Sequence, residues 1–109
     1  MVYFKQGVVP YKLHPAIEAL LADGGELDEV YYMFSGRPCI VTSARDGRHS
    51  RKSLHYKGKA LDLRTNDIDR VRTQKIYREL KRRLDRAYDV LLEYVGTPNE
   101  HIHIEYDPH

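Results

Sequence analysis

One cysteine in 109 residues, Cys39, excludes an internal disulfide and any metal cage built on several thiolates. It lies in the apolar run Pro38-Cys39-Ile40-Val41, where a thiol serves as a small hydrophobe in a strand rather than as a nucleophile. No apolar run approaches the length needed to cross a bilayer, so no membrane partner is expected. Met1 to Gly7 lack the apolar stretch and small-residue cleavage site of a secretory signal. The expectation is cytoplasmic synthesis, with another agent carrying the protein to any substrate beyond the membrane. Internal repeats, low-complexity tracts and Pro/Gly/Ser-rich linkers are all missing, which leaves one domain spanning residues 1–109.

A formal charge of +2 is too small to argue for a nucleic-acid partner. Its distribution is uneven, because Arg70, Arg72, Lys75, Arg78, Lys81, Arg82, Arg83 and Arg86 crowd one segment that Asp67, Asp69, Glu79 and Asp85 offset only in part. That segment reads as the solvated outer face of a helix. With 41% hydrophobic and 31% charged residues, the composition is that of an ordinary globular protein.

Pro15 after His14 suits the first turn of a helix whose apolar face continues through Leu21 until Gly24-Gly25 stops it. A second helix is expected from Glu26 to about Phe34. Cys39 to Ser43 reads as a buried strand, and Ala44 to Ser53 as a polar loop. Ala60 to Arg64 reads as a strand with Leu61 and Leu63 on one face. Thr65-Asn66-Asp67 resembles a helix cap, followed at helical spacing by Ile68, Val71, Ile76, Leu80, Leu84 and Ala87, about five turns. Tyr88 to Val95 and His101 to Tyr106 read as strands around a turn at Gly96-Thr97-Pro98-Asn99. The order predicts an α+β domain with a largely antiparallel sheet and helices packed on one side.

Alternation along the last strand places His101, His103 and Glu105 on one face, with Ile102 and Ile104 toward the core. The same rule sets Asp62 opposite Leu61 and Leu63, so Asp62 and His103 converge if their strands are neighbours. His55 lies seven positions before Asp62, and Gly58 between them lets the chain turn its imidazole back toward the carboxylate. Two His and one Asp complete a three-ligand zinc set with an open position for water, whose pKa the ion lowers to about 7. Glu100 lies three residues before His103 and is the candidate base, although strict alternation turns it away from that histidine.

Ser53-x-His55-x-x-Gly58-x-Ala60-x-Asp62, followed by Glu100 three residues before His103, resembles the zinc D-alanyl-D-alanine carboxypeptidase and L-alanyl-D-glutamate endolysin family. The likeness spans about Val41 to Glu105. It implies a Hedgehog/DD-peptidase-type metallopeptidase fold, a Zn2+ cofactor held by His55, Asp62 and His103, and hydrolysis of the peptide stems of bacterial cell-wall peptidoglycan. Ser43-Ala44-Arg45 matches the family's Ser-x-Arg, which implies that Arg45 binds the substrate carboxylate or the carbonyl oxygen. Its fixed charge and forked donors suit either role, and Arg48 and Arg51 in the same loop are alternatives. The base maps to Glu100, and His101 to a histidine that assists near the reacting carbonyl. The chain is short for the family and has no tryptophan before the last ligand and no wall-binding repeat.

Carboxypeptidase and endopeptidase activity need the same centre and differ in how one end of the cleft is closed, so both stay open. Small size and the missing signal suggest, by analogy, a phage lysis or virion enzyme. Among the remaining residues, His14, His49 and His109 read as surface or satisfied histidines. Most of the tyrosines read as partly buried core, with Tyr56, beside His55, as a candidate cleft residue. The rival reading is a non-catalytic module in which zinc stabilises the fold and the basic helix contacts wall polymer. A nucleic-acid binder would rest on those arginines alone.

Overall fold

In the computed structural model, which describes residues 1–45 and 54–108, the sheet is built from strands far apart in sequence. β1 (Tyr3–Phe4) pairs in parallel with β2 (Ile40–Ser43), and β2 runs antiparallel to β3 (Ala60–Arg64). β3 and β4 (Tyr88–Glu93) each pair antiparallel with β5 (His101–Tyr106), giving the order β1-β2-β3-β5-β4. The expected α+β domain with a mostly antiparallel sheet is what the chain forms. β1 is an addition, a two-residue strand too short to leave any period in the sequence.

α1 (Pro15–Glu18) starts where His14 accepts a hydrogen bond from the Ala16 backbone N–H at 3.0 Å, and it tightens into a 3₁₀ turn over Ala19–Leu21. α2 (Glu26–Ser35) ends at Gly36, whose φ of 67° is the left-handed C-terminal conformation glycine adopts without strain. α3 is shorter than its periodicity predicts and runs from Arg70 to Arg83. The supposed cap does other work. Thr65 is fully buried and donates its hydroxyl to Glu100, while the Asn66 side chain donates to the Pro98 carbonyl. These bonds tie the end of β3 to the β4–β5 turn, so the helix begins only after Asp69.

The core lies between the helices and one face of the sheet. Leu61, Leu63, Ile102 and Ile104 from β3 and β5 are fully buried with Leu27 and Val30 of α2 and Ile76 and Leu80 of α3. The charged side of α3 turns outward, apart from Arg83, whose guanidinium reaches Glu79 on its own helix and Glu26 and Glu29 on α2. Cys39 is buried, and that burial pushes its thiol far above the ordinary range, which fits a packing role. Among the described residues, no helix is long and apolar enough to cross a membrane.

Candidate metal centre

Packing Ile102, Ile104, Leu61 and Leu63 on one face leaves Asp62, His101, His103 and Glu105 on the other. Register then brings two of them together, since Asp62 and His103 are direct partners across β3 and β5. His55 arrives from outside the sheet on a 3₁₀ turn (Leu54–Lys57), and the chain leaves that turn through Gly58 at φ 69°. A Cβ on residue 58 would run into the Lys12 carbonyl oxygen, and the Gly58 carbonyl accepts from the His14 N–H at 2.8 Å. Glycine there meets both a backbone requirement and a close approach.

The buried His55 ring is fixed at its far side. Its Nδ1 lies 2.6 Å from the Ala44 carbonyl oxygen, just past an irregularity in the β2–β3 pairing between Val41 and Ser43. A carbonyl can only accept, so Nδ1 carries a hydrogen, and Nε2 faces Asp62 Oδ1, 3.3 Å away, donating to it when the ring is charged and presenting its lone pair when the ring is neutral. His103 is oriented the opposite way round. Its Nε2 donates to Glu105 Oε1 at 2.8 Å and its Nδ1 faces Asp62 Oδ1 at 2.8 Å. One donor atom from each of His55, Asp62 and His103 therefore falls in a group whose members all lie within 4.8 Å of one another.

That donor set fits a tetrahedral cation. Ligands about 2.0–2.1 Å from a tetrahedral zinc stand roughly 3.3 Å apart, against 3.3 Å from Asp62 Oδ1 to His55 and 2.8 Å to His103. Each histidine also has its second nitrogen bonded to a carbonyl or carboxylate, the outer arrangement that sets tautomer and ring direction in zinc sites. Burial pulls the His103 imidazolium down, but the bonds to Asp62 and Glu105 outweigh it and raise its pKa from 6.5 to about 9. Burial pushes the Asp62 carboxyl up, yet hydrogen bonds from His103 and His55 and the nearby charges of His55 and His101 hold it well below the usual carboxylate range.

His101 joins this group from one residue pair further along β5. Its Nδ1–H donates to the Asn99 carbonyl at 2.7 Å, which aims Nε2 at Glu93 Oε1, 3.0 Å away, and toward Asp62 Oδ1 at 3.7 Å. Glu93 pairs with His101 across β4 and β5. Nothing in the sequence pattern marks Glu93, because its importance depends on a register that only the folded sheet defines.

The structure does not bring Glu100 to this cluster. Its carboxylate accepts from the Thr65 hydroxyl at 2.7 Å and from the Gly96 N–H at 2.9 Å, so it closes the β4–β5 turn in step with Ile102 and Ile104. Arg45 lies beside the N-terminal segment, its guanidinium 3.4 Å from the Lys12 carbonyl and over the Tyr11 ring. It is joined to the centre through its neighbour Ala44. Tyr56 is partly exposed on the same turn as His55. Ser53, His49, Arg48, Arg51 and His109 lie outside the described residues. No protein-family model matches the chain.

Three expected outcomes follow from this geometry. Gly58→Ala should weaken binding of a divalent cation, with Zn2+ as the probe, because a side chain at a positive φ costs about 1 kcal/mol before the clash with Lys12 displaces the turn carrying His55; calorimetric titration reads the change. Glu105→Ala should weaken it by about 10–100-fold through loss of the bond that orients His103. The third is a pH dependence. His103 is raised from 6.5 to about 9, so its contribution to metal-free stability is complete below 6.5 and disappears as pH rises through 9. Zinc affinity should climb across the same window as the Nδ1 proton leaves. Thermal unfolding in chelator and zinc titration, both against pH, should move in opposite directions.

Proposed function

We propose that this chain is a zinc metallopeptidase that hydrolyses amide bonds in the peptide stems of bacterial peptidoglycan, of the DD-carboxypeptidase or LD-endopeptidase kind. The observation that carries the metal reading is the convergence of His55 Nε2, Asp62 Oδ1 and His103 Nδ1, with each ring's other nitrogen already committed to an acceptor. The substrate class rests on the ordered motif from Ser53 to Asp62, with His103 after it. A zinc ion held there supplies an acidified water and a Lewis acid for a carbonyl.

The surrounding residues supply the rest. His101 is the better-placed base, since its Nε2 is aimed at the centre and its tautomer is set by the Asn99 carbonyl. It takes the proton from the attacking water and passes it to the leaving amine. Glu93 is a positioning residue: it accepts from the Nε2–H once the ring has taken the proton, which favours the charged form during transfer. Glu100, bound to Thr65 and Gly96, shapes the turn from which β5 starts. Arg45, next to the residue that anchors His55, binds a substrate carboxylate or carbonyl oxygen through its forked donors.

The test is metal analysis of the purified chain, followed by mass spectrometry of the products from digested peptidoglycan. One equivalent of tightly held zinc and a new stem-peptide end are expected. Bound zinc with no peptide released would overturn the enzymatic reading in favour of a structural metal in a wall-binding module.

A further inference from the structure

Asp62 belongs to a second convergent group. One donor atom each from Asp62, Glu93 and His101 also falls within 4.8 Å of the others, with His101 Nε2 3.0 Å from Glu93 Oε1 and 3.7 Å from Asp62 Oδ1. The set is a His and two carboxylates, a mixture that binds zinc as well as harder divalent cations. His101 Nδ1 is committed to the Asn99 carbonyl, so Nε2 is directed between the two carboxylates just as the rings of the first centre are directed. We infer that Asp62, Glu93 and His101 form a second, weaker divalent-cation site that shares Asp62 with the first, and that filling it with excess zinc inhibits the enzyme.

Three features set the order of filling. The second set has one nitrogen donor where the first has two. Glu93 is 40% exposed, against 14% for Asp62, so its carboxylate gives up more hydration and side-chain freedom on binding. A second dication sharing a carboxylate with the first also meets its repulsion. Shared-ligand pairs stand about 3.5–4 Å apart, a separation that a carboxylate spans. The consequence concerns His101. Its Nε2 lone pair cannot both bind a cation and accept a proton, so occupation removes the base while leaving the first centre intact.

This inference rests on Asp62 being a ligand of the first centre, and the experiment separates the two. The chelator-stripped full chain is titrated with Zn2+ by calorimetry while the histidine ring resonances are followed by NMR. The wild type should take two equivalents, the second about tenfold weaker or more, with the His101 ring responding only to the second. Glu93→Gln, a near-isosteric change at the end of an edge strand, should take one. Two equivalents in Glu93→Gln, or a single equivalent in the wild type that Glu93→Gln keeps, overturns the site. Failure of the first centre reads out differently, as tight binding that survives His55→Ala. In the active enzyme, turnover should rise with the first equivalent and fall with the second; a plateau through two bound equivalents would overturn the inhibitory role.

Discussion

Replacing Asp62 by Ala should abolish tight zinc binding and peptide hydrolysis together, with an affinity loss beyond the 10–100-fold expected for an outer partner such as Glu105. Asp62 is the hub of the site. Its Oδ1 lies 2.8 Å from His103, 3.3 Å from His55 and 3.7 Å from His101, so three imidazoles meet at one carboxylate. Its removal takes the only anion from the three-ligand set and leaves two neutral nitrogens that cannot offset the charge of a dication. Metal-free stability should suffer less. Stripping one partner from a buried ion pair costs about 3–5 kcal/mol when the other charge is stranded, but an imidazolium can release its proton instead. The NMR titration of His103 should record that release, with its midpoint falling from about 9 toward 6.5 as the bond to Asp62 is lost. Asp62→Asn keeps the volume and removes the charge, and should lose zinc in the same way. Wild-type zinc affinity in either variant would remove the basis for the metal centre.

How much of this was readable beforehand differs from residue to residue, and the differences have physical causes. Asp62 and His103 were readable because strand alternation is strict, and a face that buries Leu61, Leu63, Ile102 and Ile104 must present its intervening residues to the other side. Gly58 was readable because few residues other than glycine reverse a chain so tightly, and its φ of 69° is the conformation that turn needs. The cap at Thr65-Asn66-Asp67 misled because capping is a local signal. A hydroxyl or amide that can cap a helix can equally bond a distant carboxylate or carbonyl, as Thr65 and Asn66 do. Glu93 could not be found at all, since it reaches His101 through the register of β4 on β5. Arg45 was visible as a residue type, but its placement beside Tyr11 and Lys12 depends on how the N-terminal segment packs.

Glu100, in the turn just before β5, and His101, the first residue of that strand, are adjacent in sequence and bond to different partners, which makes their variants the sharpest contrast in the molecule. His101→Ala should retain zinc at the first centre and lose about 10²–10⁴-fold in kcat, the usual range for a positioned general base. The limb of the pH–rate profile that reports the base should disappear with it, an effect that a merely structural change at residue 101 would not produce. Glu100→Ala should do the reverse. Its loss leaves the buried Thr65 hydroxyl and the Gly96 N–H without their acceptor, a cost of about 1–3 kcal/mol and a melting temperature lower by several degrees. Turnover per folded, zinc-loaded molecule should stay within a few-fold of wild type. Glu100→Gln, whose carbonyl oxygen can still accept from Thr65, should recover much of that stability and leave kcat unchanged. A Glu100→Gln variant that folds, holds zinc and has lost turnover would return the base to Glu100, and β5 would then have to turn that carboxylate across the sheet when substrate binds. The two variants thus decide whether the proton is handled by the residue that alternation places at the centre or by the one that motif spacing selects.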